Sequence, residues 1–211
     1  FRFHALYGDP AAGLDAEGFA ACAANLAGID TLSRERVGNE MRKLLAAHDP
    51  APAVAAMAAS GVLAAVLPGA DPRALAPLAH HEAGAEPNWL RRLAAIGGQD
   101  VTRALRLSRD ETKGLTLLRD QIGSGAGAGE LGWRHGADLA RDVILLRSAI
   151  LGAPAPDGWA AAAQKGANAT LPVSAADLPG LTGPTLGARL RQIEAAWIAS
   201  GFELSREQLL A

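Results

Sequence analysis

The chain has 211 residues, of which 49% are hydrophobic and 20% are charged, so it can bury a core and does not have a disordered composition. Its formal net charge of −2 lacks the basic excess that is typical of a strong nucleic-acid binder. The single cysteine, Cys22, excludes an internal disulfide and a cysteine-based zinc site, and no stretch reaches the roughly 18 apolar residues of a membrane span, so we expect a cytoplasmic protein without a membrane partner.

The first third of the chain predicts three helices. Asp15 and Ser33 are suited to cap the first two of them, because their side-chain oxygens can accept from free backbone N–H groups. Gly61 supplies the left-handed position that ends the third helix. The predicted helices cover residues 15–27, 34–47 and 52–60.

Helical patterns continue through the rest of the chain. Ser108 opens a capping box, Pro184 suits a first helical turn, and Ser205 caps a short last helix. No segment shows the alternation of period two that marks a strand. Because alanine-rich sequence also favours helix, we predict an all-α protein. The predicted helices cover residues 73–80, 87–96, 109–122, 131–151, 159–165 and 184–200.

We find no convincing catalytic group of residues, so the expected catalytic and metal-ligating sets are both empty. The sequence has neither a glycine-rich phosphate loop nor the paired aspartates that hold two metal ions in nucleotidyl transfer. The dipeptide His48-Asp49 resembles the centre of an HD-type metal phosphohydrolase site, and this remains a third hypothesis. Pro50 follows at once, which favours a helix end.

Cations are concentrated in the middle of the chain. Residues 86–150 hold ten of the twenty lysines and arginines against eight acidic residues, and the segment 34–43 adds more. Trp89 stands beside Arg91 and Arg92, where an aromatic ring could stack on a base while guanidinium groups contact phosphate. The alternative, which we favour for Trp89, is that the ring packs inward.

A second candidate for phosphate contact lies near the C-terminal end. Gly183 and Gly187 flank Pro184 at the start of a predicted helix, where small residues let a phosphate approach free backbone N–H groups. Arg189 follows one turn later. As a pattern alone, this helix start is common.

Several segments resemble the class II tRNA nucleotidyltransferases, the family of CCA-adding enzymes and bacterial poly(A) polymerases, in particular their alphaproteobacterial members. Residues 1–8 resemble the end of the helix that reads the incoming nucleotide, and residues 27–45 resemble the neck helix that braces it. Residues 177–198 resemble the tail pattern, although Thr182 stands where proline is expected. Further likeness covers residues 56–68, 89–96, 105–119 and 132–150.

The resemblance implies a multi-helical array with a neck over residues 1–70, a body over 71–152 and a tail over 153–211. It implies that Arg36 and Glu40 have structural roles in the neck. It also implies tRNA as the partner, and a catalytic head upstream of Phe1 that would carry the metal-binding aspartates, Mg²⁺ and CTP or ATP. We therefore expect no cofactor in this chain and no activity from it alone.

The resemblance thus implies the tRNA-binding part of an enzyme that adds CCA to tRNA 3′ ends. Two alternatives stay open, namely the corresponding part of a poly(A) polymerase and a helical interaction scaffold without a role in RNA binding. The oligomeric state is not predicted. The predicted RNA contacts are Arg91, Arg92, Arg134, Arg141, Lys165, Gly183, Gly187 and Arg189.

Overall fold

The computed structural model describes residues 1–7, 15–82 and 85–211, and in this part of the chain the only regular elements are helices. The prediction of an all-α fold is therefore confirmed. The chain divides into two compact units. Unit 1 comprises residues 1–124 and 145–154, and unit 2 comprises residues 125–144 and 155–211.

Unit 1 contains nine α-helices and the last part of a tenth among its described residues. Short 3-10 helices over Leu26–Thr31 and Pro72–Ala74 join some of them. The nine helices are α1 (Arg2–Tyr7), α2 (Ala16–Ala24), α3 (Arg34–Leu45), α4 (Ala51–Ala59), α5 (Val62–Val66), α6 (Leu75–His81), α7 (Trp89–Ile96), α8 (Val101–Ala104) and α9 (Arg109–Ile122).

Local capping explains where several of these helices begin. Ser33 accepts from the backbone N–H of Arg36 at 3.3 Å, as predicted. Ser108 and Glu111 form the predicted capping box at the start of α9. Gly61 has a φ of 81°, a left-handed conformation that glycine adopts at no steric cost. Each of these residues lies within a few positions of the groups that it caps, so the sequence alone was enough to predict these helix ends.

Helix α7 lies at the centre of unit 1, in contact with α3, α6 and α9. Leucines from several helices fill the core around it, and they are completely buried because each helix presents an apolar stripe to its neighbours. The completely buried leucines include Leu45, Leu67, Leu75, Leu78 and Leu93.

Unit 2 contains α10 (Ala128–His135), α12 (Trp159–Asn168), α13 (Gly183–Ala199) and α14 (Arg206–Leu210), a 3-10 helix over Ala175–Asp177, and the first part of α11 (Ala137–Leu151). Its core has an aromatic centre. The ring of Trp197 meets Trp133 edge to face at 5.2 Å and Phe202 at 5.0 Å between centroids. This geometry is favourable for aromatic pairs.

The closest helix contact in unit 2 is made by backbone atoms of α10 and α12. A Cβ atom added to Gly132 would lie 2.1 Å from the carbonyl oxygen of Ala163, and one added to Gly166 would lie 2.0 Å from that of Gly129. No side chain fits at such distances. These two glycines therefore set the separation of the helices.

The structure corrects one predicted helix and adds short helices that were not predicted. The helix predicted over residues 131–151 is two helices, α10 and α11, because Gly136 has a φ of 89° and interrupts the α-helical backbone. The short helices α5 and α8 were not predicted, and the N-cap of α8, Asp100, has a φ of 45°. In the described residues, no helix combines the length and the apolar character that a bilayer span requires.

The close approach of α10 and α12 makes Gly166 sensitive to substitution. We expect Gly166→Ala to lower the free energy of unfolding of unit 2 by about 2 kcal/mol or more, because the new methyl group meets backbone atoms that cannot rotate away. Urea unfolding followed by tryptophan fluorescence measures this, since three of the four tryptophans lie in unit 2.

Gly187→Ala is the matched control, because its Cβ would have its nearest heavy-atom neighbour at an ordinary 3.5 Å. There we expect a gain of about 0.5 to 1 kcal/mol from the better helix propensity of alanine. Equal unfolding midpoints for the two variants would contradict the packing argument.

Candidate functional site

Three exposed arginines of unit 1 come together at the N-terminal end of α3. Arg34 lies on the first turn of this helix, and Arg103 and Arg106 belong to α8 and the turn after it. Together with Glu35 they line one cavity of about 310 Å³. The Nη1 of Arg34 donates to the backbone oxygen of Arg103 at 3.5 Å, which joins the two elements.

Glu35 is the acidic member of this cluster. Arg106 donates to it at 2.8 Å, and this hydrogen bond holds the pKa of the Glu35 carboxyl below its ordinary value. Both side chains are about 60% exposed, at 61% and 58%, so solvent screens the pair and its contribution to stability is small. An incoming anion could therefore displace Glu35 from Arg106 at little cost.

A larger cavity of about 600 Å³ adjoins the cluster. Arg103 and Arg106 line it together with Arg119 of α9, the hydroxyl-bearing Thr102 and Thr116, and the carboxylate of Asp100. The sequence analysis did not single out these arginines. Their only signal was the excess of cations in residues 86–150.

A clamp between α3 and α9 supports this surface. Arg42 donates to both carboxylate oxygens of Glu111, each at 2.8 Å, and its Nη2 also donates to the backbone oxygen of Arg106 at 3.3 Å. The Arg42 guanidinium lies 5.3 Å from the centroid of Trp89. Trp89 is half-buried and stacks on a protein cation.

The structure buries two predicted RNA contacts, Arg91 and Arg92, each 2% exposed. Arg91 donates to Oε1 of Glu82 at 2.6 Å, and Arg92 donates to Oε2 of the same carboxylate at 2.8 Å. Arg92 also donates to the backbone oxygens of Leu45, Ala47 and His48, where α3 ends. Arg91 and Arg92 thus hold helices together, and we do not carry them forward as RNA contacts.

The remaining predicted contacts all lie in unit 2. Arg134 donates to Glu130 and lies 2.9 Å from Glu194, and these carboxylates raise its pKa. Lys165 pairs with Glu203 at 2.9 Å. Arg134 is shared between two acids of its own unit, so it has less net charge to offer a polyanion. The pair of Lys165 and Glu203 is as exposed to solvent as that of Arg106 and Glu35.

Among the described residues, Arg141 is paired in the same way, whereas Arg189 is not. Arg141 is paired with Asp138 one turn earlier. Arg189 is half-buried on α13 and, within the described residues, has no ion-pair partner. Gly183, with a φ of 55°, and Gly187 lie in the first turns of the same helix. Their role in RNA contact stays a prediction.

The two residues predicted to be structural lie on α3. Glu40 pairs with Arg2 of α1 and lies 3.8 Å from the Nζ of Lys43. Arg36 is exposed, and its side chain borders a largely apolar cavity that Phe1 and Leu32 also line. Glu40 thus links α1 to α3. Of the segment 1–8 that suggested this arrangement, Gly8 lies outside the described residues.

Within the described residues, no three side chains of the His, Cys, Asp or Glu types lie together as a metal-binding group. His48 and Asp49 are both exposed in the turn after α3. Asp49 accepts from the backbone N–H of Ala51 at 3.1 Å. This dipeptide therefore serves the start of α4 in the structure.

Fold and surface together define an all-α protein with a compact group of exposed arginines, which is chemistry suited to a polyanion. Residues 13–73 match the family model described as "Probable RNA and SrmB- binding site of polymerase A". The match supports the resemblance of this segment to the RNA-binding region of the poly(A) polymerase and CCA-adding family. The matched segment includes Arg34 and Arg36. No curated protein matches the chain.

The buried triad of Glu82, Arg91 and Arg92 gives a stability prediction. We expect Glu82→Gln to lower the free energy of unfolding by about 3 to 5 kcal/mol, because it leaves two buried guanidinium groups without their counter-charge. Urea unfolding followed by circular dichroism measures the loss. Glu86→Gln, at a nearby exposed position, is the control. A loss below about 0.5 kcal/mol for Glu82→Gln would contradict the assignment.

The clamp gives a pH-dependent prediction. The hydrogen bonds from Arg42 lower the pKa of Glu111 from 4.5 to about 2. A carboxylate with a depressed pKa stabilises the folded state above its unfolded pKa, and this stabilisation is lost as the pH falls toward the folded pKa. We therefore expect Glu111→Gln to destabilise the protein by about 1 to 3 kcal/mol at pH 7.

The difference between wild type and Glu111→Gln should shrink as the pH falls from 4.5 toward 2. Urea midpoints of both proteins at several pH values provide the comparison. Because other carboxylates titrate equally in both proteins, only their difference is informative. A difference that is constant from pH 7 to pH 3 would refute the role of this ion pair.

Proposed function

We propose that the chain is the neck, body and tail of a tRNA nucleotidyltransferase that adds CCA to tRNA 3′ ends. We further propose that it binds RNA through unit 1. The observation that carries the proposal is the match of residues 13–73 to the RNA-binding region of polymerase A. The finer assignment to class II and to tRNA rests on the resemblance of the neck and tail segments. In that family, Mg²⁺ and CTP or ATP act in a separate head, and we assign no catalytic step to this chain.

The arginine cluster supports the placement of the RNA on unit 1. Arg34 lies inside the matched segment, and Arg103 and Arg106 extend the same surface onto α8 and its following turn. Guanidinium groups donate two parallel hydrogen bonds to a phosphate. A local group of three can bind a polyanion even though the net charge of the chain is −2.

A second candidate is the RNA-binding part of a poly(A) polymerase. The description of the matching family model favours it, since the model is named for polymerase A. The two candidates share the surface and differ in the RNA that they prefer. A competition between tRNA and oligoadenylate therefore separates them.

We would measure binding of a tRNA that lacks its CCA end by filter binding, at low and at moderate salt, with an unrelated stem-loop as the control RNA. We expect the affinity for tRNA to fall steeply with salt and to exceed that for the stem-loop. Preference for oligoadenylate over tRNA would favour the second candidate. If the chain bound no RNA even at low salt, both candidate functions would be overturned, and the helical interaction scaffold would be the remaining hypothesis.

Single substitutions then test which unit holds the RNA. We expect Arg34→Gln to weaken binding and to reduce the salt slope by about 1, because one phosphate contact is lost. Arg189→Gln tests the predicted contact in unit 2. Arg206→Gln is the charge-matched control, since Arg206 already pairs with Asp177 at 2.6 Å. Weakened binding in the Arg189 variant alone would move the proposed surface to unit 2.

A further inference from the structure

The cavity of about 600 Å³ in unit 1 lies outside residues 13–73 and has the lining of an anion site. Three arginines contribute to it, namely Arg103, Arg106 and Arg119, against the single carboxylate of Asp100. Thr102 and Thr116 add hydroxyl groups that can donate to an oxygen ligand. The local charge of the lining is therefore positive, in contrast to the chain as a whole.

Among the described residues, two of the three arginines have no competing partner. In the described part of the chain, the guanidinium groups of Arg103 and Arg119 take part in no ion pair and no hydrogen bond. Arg106 is paired with Glu35, and both of those side chains are exposed. An anion in the cavity would therefore meet cations that are free or weakly held.

Arg119 carries the strongest indication of a ligand. Its Nη2 is buried and, among the described residues, finds no acceptor. Burial also lowers the pKa of the Arg119 guanidinium from its ordinary value, because desolvation disfavours the charged form. A buried donor without a partner is costly, and the cost is larger for a charged group. Arg119 also lines the cavity, and an anionic oxygen that reached Nη2 from there would remove this cost.

The backbone around the cavity is held in an unusual conformation. In the described chain three non-glycine residues have a positive φ, and two of them, Asp100 at 45° and Arg106 at 48°, line this cavity. The Arg42 clamp fixes the second one by donating to the Arg106 backbone oxygen at 3.3 Å. Such conformations persist only where the surroundings impose them, and they are concentrated at functional sites.

We propose that this cavity binds a phosphate group, held by Arg103, Arg106 and Arg119 with hydroxyl donors from Thr102 and Thr116. The phosphate can belong to the backbone of a bound RNA or to a free phosphorylated compound. The RNA source rests on the proposed function, whereas binding of a free phosphate does not. Phosphate oxygens carry negative charge and match the fork of guanidinium donors, whereas a neutral ligand offers these arginines no counter-charge.

Pyrophosphate tests the cavity without RNA. We expect it to raise the Tm of the full chain by about 2 °C or more in a saturable way, relative to sodium chloride at equal ionic strength. Arg103→Gln and Arg119→Gln should both lose this shift. Lys113→Gln, which removes an exposed charge of α9 outside the cavity lining, should keep it.

Arg103→Gln keeps the test informative if the Arg119→Gln variant misfolds. Arg103 is exposed and its side chain makes no hydrogen bond in the described structure, so this variant should fold even if Arg119→Gln does not. The same variants are then used in filter binding with the tRNA that lacks its CCA end. We expect Arg119→Gln, which leaves the cluster of Arg34, Arg103 and Arg106 intact, to reduce the salt slope by about 1 if a backbone phosphate of RNA occupies the cavity.

The outcomes separate the two sources. Loss of the pyrophosphate shift together with a reduced salt slope supports the cavity with RNA as the ligand. Loss of the shift with unchanged RNA binding supports it with a free phosphorylated compound. If wild type shows no saturable shift and the variants bind RNA as wild type does, the inference is overturned. If wild type fails to bind RNA, the proposed function fails. The Tm shift with pyrophosphate, and its loss in the variants, then decides by itself whether the cavity binds phosphate.

Discussion

The buried carboxylate of Glu82 between Arg91 and Arg92 is the interaction on which unit 1 depends. Two guanidinium groups and one carboxylate, each 2% exposed, lose their hydration, and only close pairing and complete hydrogen bonding can offset that loss. Arg92 completes the bonding by donating to carbonyl oxygens at the end of α3, which otherwise lack partners in their own helix. One ionic group thereby fixes α3, the C-cap of α6 and α7 to one another.

The two ends of α3 have different tasks as a result. Its C-terminal end is locked into the core by Arg92, whereas Arg34 at its N-terminal end remains exposed beside Arg103. Arg42, between these ends, holds Glu111 of α9 and the backbone of Arg106. The exposed arginines of unit 1 are thus attached to rigid supports while their own ion pairs are few and weak. A surface built in this way keeps its charge available and loses little entropy when an anion binds.

Sequence reasoning succeeded where the deciding interactions are local. The caps at Ser33 and Ser108 were predicted because cap and helix are separated by only a few residues. It did not foresee the burial of Arg91 and Arg92, which depends on Glu82 and, for Arg92, on carbonyl groups 44 to 47 residues earlier in the chain. Apolar periodicity also ran through Gly136 without marking the break there. The arginine-lined cavity was missed for a related reason. Its three arginines are exposed or half-buried, and the turn between α8 and α9 brings them to one place.

The contact of α10 with α12 has a consequence for how unit 2 can respond to strain. In most helix pairs, side chains between the helices can change rotamer and so absorb small displacements. At Gly132 and Gly166 there is no side chain to move, and backbone carbonyls form the contact itself. The separation of the pair is therefore set by main-chain atoms, which have no rotamers to change. An alanine-rich and aromatic-poor chain obtains in this way a stiffness that larger side chains would not provide, and the two helices move as one body or separate altogether.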